Sequence, residues 1–357
     1  MSLTWDIVAG RMTYRTFVAL CMTAAVGVVA NPVAICRAAP SPDYQVTRTV
    51  ALGAPDRWDY VMFDPASKRV YVAHGDEVTV VDGRTGDVVG HITGMPGGTH
   101  GVAIVTAAGK GYTDDGGAGE AASFDLATLK VGKRVKAADD ADAIAFDPVS
   151  SHVFVVNGDA GTITVVDPQS DSAVATINGG GKLEFAVADG TGHLYVNGAG
   201  NKEVLSIDTR SNQVMARWPV PDCLSPHGLA MDMTHHRLFV SCVNNVLTVV
   251  NSDSGAVVAT VPIGSGTDAA AFDPKRGLIF SSNGKDGTLS VIQERDPQTF
   301  VAVATVKTTV SARTMSLDPE TGRLYIAAAS TQALAAGEKR PKVVPGSLKL
   351  LFLDPVR

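Results

Sequence analysis

Short apolar runs separated by turn residues recur along the chain from about residue 44 onward. Each unit contains an apolar run, an Asp-Pro or similar turn, a strand with an aromatic residue, a turn with Asn or Gly, and two Val-rich strands. Three clear copies begin at Phe63, Phe146 and Met231. Runs of this length, rich in Val, Ile, Thr and aromatic residues, predict short β-strands rather than helices.

The unit repeats with a nearly constant period. Its first strand closes on an Asp in six copies and on Val105 in the remaining copy, and the seven anchor positions are Asp64, Val105, Asp147, Asp189, Asp232, Asp273 and Asp318. They are separated by 41, 42, 42, 43, 41 and 45 residues. Four short strands in about 42 residues is the period of a β-propeller blade. The sequence therefore predicts an all-β, seven-bladed propeller that occupies residues 40–357 as one domain.

The last copy predicts how the ring closes. Its third strand lies at 347–354 and the sequence ends at Arg357, so a fourth strand is missing there. Residues 44–50 alternate like a strand and have no partner in the first copy. We expect this N-terminal strand to complete blade seven and remove two sheet edges.

The first 39 residues are typical of an export signal. Arg11 and Arg15 precede an apolar stretch from residue 17 to residue 35, and small residues follow at 38–39. We expect cleavage there and a periplasmic or secreted monomer without stable membrane insertion. An uncleaved membrane anchor is the alternative.

Charge and cysteine content limit the possible partners. The chain has 30 Lys and Arg against 36 Asp and Glu, without a basic stripe carrying interleaved aromatics, which argues against nucleic acid. Cys223 and Cys242 are the two cysteines beyond the signal. An even pair in an exported chain predicts a disulfide, with two reduced thiols as the alternative.

Several segments resemble the YVTN-repeat, YncE-like propellers of exported bacterial proteins. They are the strand pair at 69–82, the stretch GLAMD…HRLFVSC.N at 228–244, FDPKRGLIFSSNG.DGTLSV at 272–291 and ART.SLDPETGRLYI at 312–326. The resemblance spans roughly residues 44–357 and implies the seven-bladed fold. Most members lack an established reaction, some are linked to metal uptake, and one that resembles them binds single-stranded DNA.

One position in each repeat carries the candidate chemistry. In a propeller the first strands line the central channel, so equivalent positions form a ring at one mouth. Counting back five residues from each anchor gives only ionisable residues, which are Asp59, His100, Asp142, Glu184, His227, Asp268 and Arg313. Three interpretations are open: polar groups that bind channel water, a metal site, and metal-free acid and base chemistry.

The favoured interpretation is a divalent transition metal held by His100, His227, Asp142 and Glu184, with His74 as a possible ligand in a second ring. If the site is catalytic, Glu184, Arg313, Asp59 and Asp268 form its machinery, and the protein is a metal-dependent hydrolase or lyase. Arg313 would then orient a small anionic substrate while Asp59 or Asp268 moves the proton. The alternative is a non-catalytic periplasmic binding or interaction propeller linked to metal acquisition.

Blade seven contains a long insert at 330–347 between its second and third strands. It carries Glu338, Lys339, Arg340 and Lys342, and it is either a cationic flap over the mouth or an ordinary loop. The remaining turn histidines at 152, 193, 235 and 236 are placed on the opposite face without a functional role.

Overall fold

The computed structural model describes residues 43–332 and 342–356, and these form seven four-stranded antiparallel sheets. The predicted all-β, seven-bladed propeller is therefore confirmed. The predicted signal at 1–39 and the flap residues Glu338, Lys339 and Arg340 lie outside the described residues. Among the described residues, no helix is long and apolar enough to cross a membrane.

The strands of blades 1 to 4 follow one another in the chain after the closing strand. In order they are β1 (Tyr44–Gly53), β2 (Trp58–Asp64), β3 (Arg69–His74), β4 (Glu77–Asp82), β5 (Val88–Thr93), β6 (Val102–Val105), β7 (Lys110–Asp115), β8 (Glu120–Asp125), β9 (Val131–Lys136), β10 (Ala141–Asp147), β11 (His152–Asn157), β12 (Thr162–Asp167), β13 (Ser172–Asn178), β14 (Ala186–Ala188), β15 (His193–Gly198), β16 (Glu203–Asp208) and β17 (Gln213–Pro219).

Blades 5 to 7 contain the remaining strands. They are β18 (Pro226–Asp232), β19 (Arg237–Cys242), β20 (Val246–Asn251), β21 (Val257–Pro262), β22 (Thr267–Asp273), β23 (Leu278–Asn283), β24 (Thr288–Asp296), β25 (Thr299–Lys307), β26 (Thr314–Leu317), β27 (Leu324–Ala328) and β28 (Leu348–Pro355). Blades 1 to 6 begin at β2, β6, β10, β14, β18 and β22, and blade 7 consists of β26, β27, β28 and β1. The first strand of each blade contacts the first strand of the next around a closed ring, so these strands line the axis.

The ring closes through the N-terminal strand, as predicted. β1 pairs antiparallel with β28, from Tyr44 opposite Pro355 to Gly53 opposite Leu348. Tyr44 is buried and packs edge-on against Phe280 of blade 6, with ring centroids 5.1 Å apart. The closing strand therefore joins two blades as well as completing one.

The core lies between adjacent blades. The second strand of every blade contributes a buried aromatic side chain near its middle, and these are Tyr71, Tyr112, Phe154, Tyr195, Phe239, Phe280 and Tyr325. Phe63 of blade 1 stacks on Tyr325 of blade 7 at 5.2 Å, and Phe239 of blade 5 meets Phe272 of blade 6 at 5.1 Å. Because each blade exposes apolar surface when alone, this packing between blades stabilises the whole ring.

The anchor aspartates recur because their side chains organise the turn after the first strand. Asp64 Oδ1 accepts the backbone N–H of Ala66 at 3.1 Å, and Asp232 Oδ1 accepts that of Thr234 at 2.8 Å. This hydrogen bond from a residue two positions ahead defines an Asx turn. In blade 2, where Val105 replaces the anchor, a 3-10 turn at Thr106–Ala108 connects the strands instead.

Tyr44→Ala is expected to lower the free energy of unfolding by about 3 kcal/mol, because it leaves a cavity between the closing strand and blade 6. The control is Val46→Ala in the same strand, where the side chain is 41% exposed and the expected change is within about 0.5 kcal/mol. Urea unfolding followed by circular dichroism measures both. Equal effects of the two substitutions would contradict the role given to Tyr44.

Candidate functional site

The seven predicted ring residues all lie where the first strands begin. Four of them are the second residue of a first strand, namely Asp59 in β2, Asp142 in β10, His227 in β18 and Asp268 in β22. The other three, His100, Glu184 and Arg313, lie one or two residues before β6, β14 and β26. Since these strands surround the axis, the seven side chains meet at one mouth of the channel.

The carboxylates of the ring share one poorly solvated volume. Burial, and then the charge of Asp268, raises the pKa of Asp59 to about 7, although His100 and Arg313 partly oppose this. Burial and the charge of Asp59 hold the pKa of Asp142 well above its usual range. Burial likewise raises the pKa of Glu184, despite the opposing charges of His227 and Lys182. The mouth therefore holds several carboxyl groups whose charged forms are poorly hydrated.

His227 and Glu184 are two ring residues from neighbouring blades that approach each other at the mouth. Nδ1 of His227 donates to the carbonyl oxygen of Ser225 at 2.9 Å, which leaves the lone pair on Nε2. That Nε2 lies 3.9 Å from Oε1 of Glu184, on the neighbouring blade. Lys182 Nζ approaches the same oxygen at 3.7 Å. In the neutral imidazole, the pair thus presents one nitrogen lone pair and one carboxylate oxygen to the same space.

His100 is held on both sides. Its Nδ1 donates to Oδ2 of Asp114 at 2.7 Å, and Asp114 Oδ1 accepts the backbone N–H groups of His100 and Gly101, both at 2.8 Å. Burial lowers the pKa of His100, but the hydrogen bond and charge of Asp114 outweigh it and raise that pKa to about 9. On the other side Arg57 Nη2 lies 2.9 Å from Nε2. In this arrangement Arg57 occupies the direction in which Nε2 would bind a metal ion.

Arg313 is also fixed by its neighbours. Its Nε lies 2.9 Å from Oδ2 of Asp268, and one Nη donates to the carbonyl oxygen of Trp58 at 2.9 Å. The guanidinium carbon lies 4.9 Å from the centre of a Trp58 ring, within the range of a cation–π interaction. Trp58 therefore orients Arg313 at the rim.

Tyr60 is a site residue that the sequence argument did not identify. It follows Asp59, and its ring meets Phe185 of blade 4 edge-on across the axis, with centroids 5.0 Å apart. Burial, then the charges of Asp142 and Asp59, raise the pKa of its hydroxyl. A signal was present, because the matching position in the other blades is occupied by Phe185 or by the smaller residues Gly101, Ala143, Gly228, Ala269 and Thr314.

A cavity of about 360 Å³ continues along the channel from Tyr60 and Phe185. The first strands of all seven blades contribute to its lining, which is mainly apolar and includes Ile144, Leu229 and Met315. The ionisable groups are thus confined to the mouth, and the channel interior offers few partners for a charged ligand.

The proposed second-ring ligand His74 is committed elsewhere. It is fully buried, Nδ1 lies 2.8 Å from the Thr79 hydroxyl, and Nε2 lies 2.5 Å from the carbonyl oxygen of Pro55. Both ring nitrogens therefore serve hydrogen bonds that hold β3 to β4 and to the loop before β2, so these contacts give no support to metal binding by His74.

The predicted disulfide is confirmed. Cys223 and Cys242 are joined, with Cα atoms 5.2 Å apart. Cys223 lies in the loop entering blade 5, four residues before His227, and the bridge ties it to Cys242 at the end of β19. Asn197 reinforces this position, because its side-chain amide donates to the carbonyl oxygen of His227 at 2.7 Å. Two independent contacts therefore hold the backbone that carries His227.

The described ends of the 330–347 insert are anchored near the same mouth. Thr331 and Val343 form an isolated antiparallel bridge. The carboxylate of Asp56, just before β2, accepts the backbone N–H groups of Gly346 at 2.7 Å and Ser347 at 3.0 Å. The two described ends of the insert are thus paired with each other and held to the loop before β2.

The four predicted metal ligands do not form a ready coordination shell. Among the described residues, the one group of three or more His, Cys, Asp and Glu ligand atoms that all lie within 4.8 Å of one another is found elsewhere in the molecule. At the mouth, His227 and Glu184 approach each other while His100 pairs with Asp114 and Arg57.

The architecture and the ring define the class of protein: a seven-bladed β-propeller with ionisable side chains at one axial mouth. No protein-family model matches the chain. It is 27% identical over 188 residues to proteins named "Uncharacterized protein YncE" from Salmonella typhimurium and Salmonella typhi. The match covers 50% of this chain and 52% of each relative, so it spans about half the length of these curated proteins. The chain is thus similar to YncE over this half, and its seven blades support a YncE-like propeller family.

Solved structures support the fold alone. The chain is similar to a chain of Kuenenia stuttgartiensis hydrazine synthase, with a TM-score of 0.64 and 16% identity, over 75% of this chain and 91% of that one. It is also similar to U3-55K, with a TM-score of 0.72 and 11% identity, over 88% and 98% of the two chains. At these identities a shared propeller carries no information about function.

Asp59→Asn is expected to raise the free energy of unfolding at pH 8 by up to about 4 kcal/mol, and by less than about 1 kcal/mol at pH 4. The folded-state pKa of about 7 is above the ordinary value of 3.8, so the wild type loses stability as pH rises between these values. The asparagine variant lacks this loss. Urea unfolding without metal at pH 4, 6 and 8 measures it, with exposed Asp139→Asn as the control. A constant difference across this range would contradict the burial of a shared charge at Asp59.

Proposed function

We propose that this protein is an exported propeller whose axial mouth binds a divalent transition metal ion, with His227 and Glu184 as its first ligands. The observation that carries the proposal is the orientation of His227. Its Nδ1 proton is committed to the Ser225 carbonyl, so the free Nε2 faces Oε1 of Glu184 at 3.9 Å. A backbone acceptor on the far nitrogen is the usual support for a metal-binding histidine.

The spacing fits an ion between the two side chains. Zn²⁺ lies about 2.0 to 2.2 Å from imidazole nitrogen and carboxylate oxygen, so two ligands of one ion are separated by roughly 3 to 4 Å. The cluster of poorly solvated carboxylates also favours a cation, because burial, the first cause of the raised pKa values of Asp142 and Glu184, deprives their charged forms of hydration that an ion would replace. Asp142 is the next ligand in the proposal, and His100 can join only if Arg57 moves away from its Nε2.

Export is part of the proposal. The disulfide supports it, because structural disulfides persist in oxidising compartments such as the periplasm. The signal-like sequence at the N-terminus supports the same location. The ring closed by β1 also needs no second copy to cover its blade faces, which favours a monomer.

A catalytic use of this site is a second candidate, favoured by Asp59. Its pKa of about 7 suits a group that takes up and releases a proton near neutral pH. Arg313, oriented by Trp58 and Asp268, supplies a positive charge for a small anionic substrate. When bound, the ion would polarise a carbonyl or activate water, which suits hydrolysis or elimination. Without turnover, the same site serves a binding propeller in metal acquisition.

The double variant His227→Asn, Glu184→Gln is expected to lose one equivalent of bound metal, or to bind it at least tenfold more weakly. The measurement is isothermal titration of the metal-stripped full chain with Zn²⁺ and with Mn²⁺ at pH 7.5. The matched control is His91→Asn, which removes an exposed histidine on the outer strand β5 and should change nothing. Thermal unfolding checks that all variants remain folded.

Unchanged stoichiometry and affinity in the double variant would overturn the axial metal site. If the ion is bound, Asp59→Asn separates the two candidates. Loss of turnover on ester or carboxylate substrates with retained metal supports catalysis, whereas retained metal without any turnover in the wild type supports a binding role.

A further inference from the structure

A second group of metal-ligand side chains lies on the face opposite the ring. Asp232 ends β18, His235 lies in the turn before β19, and Glu294 belongs to β24 of the next blade. His235 Nδ1 lies 2.6 Å from Asp232 Oδ2 and 3.3 Å from Glu294 Oε1. The ligand atoms of these three side chains all lie within 4.8 Å of one another.

Glu294 is the unusual member of this group. It is only 8% exposed, and neither of its carboxylate oxygens has a hydrogen-bond partner among the described residues. A buried carboxylate without a hydrogen-bond donor is costly, since its charge loses hydration and the His235 imidazole at 3.3 Å replaces only part of it. The two oxygens of Glu294 thus lie against the Asp232 and His235 side chains without a hydrogen-bond donor of their own.

The repeat shows how this position differs from its equivalents. Glu294 is one residue beyond Gln293, the cross-strand partner of the first residue of β23. In blades 1 to 5 the residue at the equivalent position is not ionisable. These residues are Gly83, Leu126, Pro168, Thr209 and Ser252. In blade 4, the Thr209 hydroxyl donates to the anchor Asp147 of the preceding blade at 2.8 Å. In blade 6, the equivalent residue Glu294 brings a second carboxylate close to the anchor Asp232. A carboxylate accepts hydrogen bonds, whereas the Thr209 hydroxyl at this position in blade 4 donates one.

Arg237 does not neutralise this pair by a direct hydrogen bond. It is buried, and its guanidinium donates to the carbonyl oxygens of Pro297 at 2.8 Å, His235 at 2.8 Å and His236 at 3.0 Å. Arg237 therefore clamps the turn that carries His235 to the turn that follows Glu294. Its charge lies nearby, but its N–H groups support the backbone around the three side chains.

We propose that Asp232, His235 and Glu294 form a binding site for a divalent transition metal ion on this face. Two carboxylates and one imidazole suit Zn²⁺ or Mn²⁺. Asp232 keeps Oδ1 for its turn and offers Oδ2, while His235 offers Nδ1. The side chain of His235 is 43% exposed, so the ion enters from solvent and water completes its coordination. The site is independent of the axial one, and it gives His235 a role that the sequence argument did not assign.

The test counts Zn²⁺ in a background where the axial pair is absent. The full chain carrying His227→Asn and Glu184→Gln is stripped of metal and titrated calorimetrically with Zn²⁺ at pH 7.5. We expect one remaining equivalent, which Glu294→Gln abolishes or weakens at least tenfold. Zn²⁺ should also raise the melting temperature of the background protein but not that of the Glu294→Gln variant.

His193→Asn is the matched control. His193 Nδ1 lies 2.9 Å from the anchor Asp189, the same Asp–His arrangement one blade earlier, but no second carboxylate joins it in the group. Zn²⁺ binding should persist in this variant. Two results would overturn the proposal: Zn²⁺ binding that Glu294→Gln does not change, or no Zn²⁺ binding by the background protein. In the second case, an infrared carboxylic acid band lost in Glu294→Gln would show that the carboxyl pair holds a proton instead.

Discussion

The packing of one blade against the next is the interaction on which the whole molecule depends. A four-stranded blade has two faces to cover, and only its neighbours can cover them. The buried aromatic of each second strand meets this need at every boundary, and the pairing of β1 with β28 completes the circle. Closure in turn fixes the first strands around the axis, which brings residues separated by more than 200 positions, such as Asp59 and Arg313, to one mouth.

The repeat made the fold and the membership of the ring predictable. Each anchor occupies the same place in its blade, so counting from the anchors identified the residues at the axis without any knowledge of contacts. Contacts between blades were not predictable in this way. Arg57 reaches His100 from another blade, and Glu294 meets Asp232 from the next blade, at the register where Thr209 meets Asp147. His74 shows the same limit within a blade, since its partners Thr79 and Pro55 become apparent only in three dimensions.

The anchor aspartate links structure and chemistry on the face away from the ring. One oxygen shapes the turn in almost every blade, and this explains its recurrence. The other oxygen is available to whatever side chain the local sequence supplies, such as the Arg276 guanidinium at Asp273 and the His235 imidazole at Asp232. The anchor aspartate is thus needed for the turn with one oxygen, and its second oxygen can become part of a binding site when a neighbouring turn supplies a suitable side chain.

The contact between Tyr60 and Phe185 has a consequence for traffic through the molecule. The aromatic pair lies one residue further along the first strands than the ionisable ring, at the start of the apolar cavity. A solute that moved inward from the mouth would therefore exchange charged neighbours for aromatic and aliphatic ones within one residue step. The mouth and the channel interior thus favour solutes of opposite character.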